Sequence, residues 1–142
     1  MNTQDNTQGV TVSPQLDELS STLMGDALDM LAEGETVGVL VAMQDARDKV
    51  ECATFADDGP DALLEGARSY VRSHRSAVRY AMAYEGAVGL EDGTYADALL
   101  LEFGERGRPS FSAYSLFEGR GAGDAFRWTD PAPAGEEEPL LG

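Results

Sequence analysis

The chain has 142 residues, 42% of them hydrophobic, and 26 acidic against 10 basic side chains give it a formal net charge of −16. This length suits one domain and buries enough apolar surface to fold without a metal or a disulfide, and the single cysteine, Cys52, excludes an internal bridge and fits a reducing compartment. The charge excludes nucleic acid and anionic membrane as partners, because gripping phosphate depends on Lys and Arg, and it is compatible with a basic protein partner.

Residues 1–12, MNTQDNTQGVTV, lack the basic start and apolar centre of a secretion signal and read as a disordered leader of a cytoplasmic protein. A single α+β domain is expected over residues 13–130. Ser13 and Pro14 are an N-cap and a first helical residue. Leu16, Leu19, Leu23, Ala27, Met30 and Leu31 then recur at steps of three and four, which predicts an amphipathic helix over 14–33, stopped at Gly34. The segment 37-VGVLVAMQ-44 is short, apolar and valine-rich, as in a strand buried on both faces, and it is far too short to cross a bilayer. After the turn Asp45–Asp48 comes 49-KVECATFA-56. Val50, Cys52 and Thr54 share its inward face there, and the two strands are expected to form a hairpin.

Asp57, Asp58 and Pro60 mark a second helix start, and Leu63, Leu64, Ala67, Tyr70, Val71 and His74 follow at helical spacing. The stretch 76-SAVRYAMAYEGAVGLEDGTYADALLLEFGER-106 predicts a long hairpin turning at Gly93. Val78, Tyr80, Met82 and Tyr84 lie on one face of its first strand, with Arg79, Ala81, Ala83 and Glu85 on the other. A strand over 110–118, a glycine-rich loop 119-GRGAGD-124 and a short strand over 125–128 complete the domain. Residues 131–142, PAPAGEEEPLLG, read as a disordered acidic tail. The expected architecture is a two-layer α+β fold, a largely antiparallel sheet of about five or six strands with both helices on one face. The half-apolar second face suits a homodimer interface.

Candidate chemistry is sparse. His74, the only histidine, has no nucleophile at a recognisable spacing, and Cys52 carries no family signature around it. Zinc-type and calcium-loop spacings are absent, so neither metal nor cofactor is expected. The glycine-rich loop lacks the lysine of a phosphate-binding loop. What stands out is basic. Arg68, Arg72, Arg75 and Arg79 crowd one stretch of an acidic chain, and with His74 they form a candidate site for a small anionic metabolite. The bland alternative is a solvated helix face paired with Asp and Glu, including the Glu136–Glu138 run of the tail. Asp97 falls in an apolar strand, where a buried carboxylate needs a partner such as Arg79. Three functions follow: a non-catalytic association module, most simply a homodimer; a metabolite-binding or enzymatic site at Arg68, Arg72, His74, Arg75, Arg79 and Asp97; or an acidic chaperone or inhibitor that masks a basic protein.

Overall fold

A computed structural model of the protein describes residues 12–55, 60–137 and 139–141. The elements run α1 (Pro14–Ala32), β1 (Val39–Asp45), β2 (Val50–Phe55), α2 (Pro60–Ser73), β3 (Ala77–Gly89), β4 (Tyr95–Glu105), β5 (Ser110–Glu118), β6 (Arg127–Trp128) and β7 (Ala132–Glu137). Every strand pairing is antiparallel, and the sheet order is β2-β1-β3-β4-β5 with β6 and β7 both against β5. This is the expected α+β class with the expected element order. Residues 1–11, Asp57 and Asp58 lie outside the described residues, so the leader and the acidic start of α2 are not described.

Local chemistry accounts for the boundaries. Ser13 caps α1, its Oγ accepting from the Leu16 amide at 3.0 Å, and it also donates to Glu105 on β4 at 2.8 Å. Helix and sheet are thereby tied together at the first residue of the element. Gly34 and Gly93 take positive φ values of 84° and 87°, ending α1 and turning the β3–β4 hairpin. The β1–β2 turn places Asp48 at φ 65°. The Asp45 carboxylate accepts from the amides of Arg47 and Lys49 at 2.8 and 3.0 Å, which holds the turn.

The placement of the helices differs from the expectation of both on one face. Leu40 and Ala42 of β1, Ala81 and Ala83 of β3, and Leu99 and Leu101 of β4 pack with Leu19, Leu23, Ala27 and Leu31 of α1. Val39, Val41 and Met43 of β1 pack with Tyr80 and Met82 of β3 and with Ala67 and Val71 of α2. Neighbouring residues along a strand point to opposite faces, so α1 and α2 cover opposite sides of the sheet. The reason is already in β1, which is apolar at consecutive positions and needs both faces buried.

Two further segments depart from expectation. The tail is not an unordered run: Ala132–Glu137 forms β7 on β5, and Leu140 and Leu141 are buried beside α2. Arg106 fixes this end, donating to the carbonyl oxygens of Leu141, Ala77 and Arg75. The sheet face beside α2, read as an exposed dimer surface, is thus partly closed by the chain itself. The glycine-rich loop is docked. The Gly121 amide donates to the Leu31 carbonyl at 2.9 Å, and Arg120 donates to the Glu35 carbonyl and pairs with Glu85, whose other oxygen accepts from the Val37 amide. A Cβ on Gly34 would stand 3.3 Å from the Gly121 Cα. These glycines therefore serve close backbone contact at the end of α1, not phosphate binding.

Leu141→Ala removes a buried side chain from the α2 side of the core. It is expected to lower the unfolding free energy by about 2 kcal/mol or more in urea titration, whereas Glu136→Ala, exposed on the same tail, should change it by less than about 0.5 kcal/mol.

Candidate functional site

The six residues singled out in the sequence do not converge. Arg68 pairs with Glu102 at 2.9 Å, and Arg72 reaches Glu65 at 3.7 Å on the exposed side of α2. Arg75 is exposed. Arg79 donates to Glu105 at 3.2 Å and to Gln44 at 2.8 Å on the α1 side of the sheet, the face opposite Arg68. Asp97 is exposed and stands across from Ala87, so it neither meets Arg79 nor needs a buried partner. His74 binds on the α2 side, whereas Cys52 faces the α1 side, so the two cannot act as a nucleophile and base.

The buried carboxylate is instead Glu102, 2% exposed. One oxygen accepts from Arg68, and the other accepts from Tyr80 Oη at 2.9 Å. Ser110 Oγ lies 2.9 Å from Tyr80 Oη; with its one proton given to the carboxylate, the tyrosine accepts from the serine. The cluster closes because Gly104 has no side chain: a Cβ there would sit 2.3 Å from Ser110 Oγ. Burial, with the Glu102 charge beside it, pushes the Tyr80 hydroxyl pKa far up, and the same two causes raise Tyr84. Burial works against the charge on Arg68, but the Glu102 hydrogen bond and charge outweigh it and hold the guanidinium above its ordinary value. Glu137 of β7 adds to this field, so part of the acidic tail does lie near the arginine stripe. Both carboxylate oxygens of Glu102 are held by side chains of this chain, which makes the cluster a structural rivet between α2 and β4.

A second cluster ties α2 to β2. Tyr70 Oη donates to Glu51 Oε2 at 2.9 Å, and His74 Nε2 lies 3.0 Å from the same oxygen. His74 Nδ1 faces the Tyr70 carbonyl at 2.7 Å, and the two rings are 4.3 Å apart. Ser73 Oγ also lies 3.3 Å from Nδ1, so both ring nitrogens are engaged by this chain. The Tyr70 hydrogen bond, then that of His74, holds the Glu51 carboxyl below the usual range, and Glu51 in turn raises the Tyr70 hydroxyl. The lone histidine is a tether at the end of its helix.

An unfilled concavity lies on the other face. A groove of about 440 Å³ runs between α1 and the β1–β2 hairpin. Its apolar lining is Leu19 and Leu23 of α1, Ala42 of β1, and Val50 and Cys52 of β2. Glu18, Asp26 and Asp48 supply its charges, and no Lys or Arg lines it. The groove exists because α1 packs chiefly over β3 and β4, less over β1, and leaves the β2 edge uncovered. Val50, Cys52 and Thr54 do share a face, but that face is open: Val50 is 47% exposed, and the Cys52 thiol is exposed too. Among the described residues, no helix is long and apolar enough to cross a membrane. No family model matches the chain, and comparisons with curated proteins and with solved structures yield no significant match.

Two outcomes test these assignments. Glu102→Ala leaves Arg68 without its partner and should cost about 3 kcal/mol by chemical denaturation, with Tyr80→Phe costing about 1 kcal/mol. Because the folded state depresses the Glu51 pKa, its contribution to stability is complete above the ordinary glutamate range and is lost as pH falls through the folded value. Glu51→Gln should accordingly remove one component of the acid limb in stability measured against pH.

Proposed function

We propose that the protein is a non-catalytic association module that captures an apolar segment of another protein, flanked by Lys or Arg, in the groove between α1 and the β1–β2 hairpin. One observation carries this reading: an apolar floor left open beside carboxylates, with no cation among its lining residues. Apolar contact supplies affinity there, and the acidic rim, backed by a net charge of −16, supplies attraction and selectivity for a basic partner. The reading joins the association module to the acidic chaperone or inhibitor. The metabolite site has less support, because Arg68, His74 and Arg79 each already hold a carboxylate on this chain. A homodimer through the second sheet face has lost part of its motive, since α2, Leu140 and Leu141 cover apolar residues there. An exposed, unpaired thiol fits the cytoplasm.

The test is calorimetric titration with a short blocked peptide in which Val, Leu and Val alternate with Thr between two pairs of Lys. Binding is expected, weakening several-fold between low and high salt as the rim charges are screened, and Val50→Asp should abolish it while the fold persists by circular dichroism. Equal binding of a Glu-flanked peptide would overturn the charge reading.

A further inference from the structure

We infer that the partner segment enters as an extra antiparallel or parallel β-strand on the outer edge of β2, pairing with the main chain of Val50, Cys52 and Thr54. The inference rests on the groove reading above and adds the binding mode and the partner's conformation. The hydrogen-bond phase of the hairpin supplies the argument. The Asp45 amide donates to the Lys49 carbonyl at 3.0 Å, so Asp45 and Lys49 are a bonded pair. In an antiparallel ladder, bonded pairs alternate with non-bonded ones. With Met43 opposite Glu51, Val41 opposite Ala53 and Val39 opposite Phe55, the inward-bonded residues of β2 are Glu51, Ala53 and Phe55. The amides and carbonyls of Val50, Cys52 and Thr54 therefore point outward, and among the described residues no strand pairs with that edge.

Among the devices against strand addition, bulges, prolines and inward charges are missing from this edge. Its register to β1 has no shift. None of Val50, Cys52 and Thr54 is charged, and Glu51 is turned away to Tyr70 and His74 on the other face. The side chains of the outward-bonding residues Val50 and Cys52 are the same ones that line the groove. An added strand would thus gain main-chain bonds and lay its alternate side chains against the apolar floor in one act. Pairing of β2 with β2 of a second copy would oppose two chains of charge −16 and bring Glu18, Asp26 and Asp48 near their own equivalents. The rim favours a strand whose flanks carry Lys or Arg.

The test is residue-resolved amide exchange by NMR on the full chain, with and without the Lys-flanked Val–Leu–Val peptide, alongside the rate at which a thiol reagent modifies Cys52. The expected result is slow thiol modification and new protection of the Val50, Cys52 and Thr54 amides on peptide addition, with Glu51, Ala53 and Phe55 protected already. N-methylating the peptide at one alternate set of residues should weaken binding about tenfold or more, and methylating the other set should not. Slowed thiol modification without new amide protection would overturn strand addition and leave the groove reading standing. No binding at all would overturn both. Concentration-dependent protection of the same amides without peptide, with dimers in sedimentation, would assign the edge to a second copy and overturn the proposal.

Discussion

Strand β1 is apolar at five consecutive positions, Val39 to Met43, all of them buried, and a strand of that kind is stable only when both its faces are covered. That requirement arranges the rest of the molecule. Leu40 and Ala42 call for α1 on one side, and Val39, Val41 and Met43 call for α2 and the tail leucines on the other. A helix before the β1–β2 hairpin and a helix after it are the nearest elements available for the two jobs. The sheet then extends away from β1 through β3, β4 and β5, whose outermost pairing is completed by β7.

The charged residues follow from the same layering. Each helix needs fixing in rotation and position over its face, and apolar packing alone does this loosely. Arg68 anchors α2 to Glu102 in the middle of the sheet, and Glu51 holds the Tyr70–His74 end over β2. On the α1 side, Ser13 and Arg79 share Glu105, and Arg120 with Glu85 clamps the loop after the helix. A buried ion pair adds little net stability against an apolar replacement, yet breaking one partner is costly. Arg68, Arg79 and Arg120 each hold a carboxylate of the sheet, at Glu102, Glu105 and Glu85, which uses part of the scarce positive charge within the fold.

The groove proposed as a docking site lies where the layering is incomplete. Helix α1 lies over the middle of the sheet, so β2 is left with one covered face and one open face and, among the described residues, with one bonded edge and one edge that no strand pairs. Val50 and Cys52 meet both openings at once, through their side chains and through their main-chain groups. Glu18 and Asp26 of α1 and Asp48 of the hairpin turn line this corner.

Much of the architecture was legible in the order of residues. The Ser13 cap, the α1 stripe, the turn at Gly93 and the alternation in β3 are local signals, set by neighbours a few positions away, and the folded chain keeps them. The site was not legible in the same way. Arg68 and Arg72 are close along one helix, but Arg68 finds its carboxylate on a distant strand and Arg72 on an earlier turn of the helix, and no local pattern separates a cluster that binds a ligand from one already neutralised. Glu102 and Asp97 both interrupt apolar runs, and nothing local distinguishes them; which of two strand faces receives a helix and an arginine is a question of packing at long range. Val50 and Cys52 were rightly placed on one face and wrongly placed inside. By itself, then, the sequence determined the two helices, the hairpin strands and which of their residues share a face, because those depend on backbone preference and period, whereas β7 forms only because β5 offers it an edge. Only the tertiary structure decided which faces are covered, because that depends on where α1 crosses the sheet, and the crossing is a compromise among contacts from the whole chain.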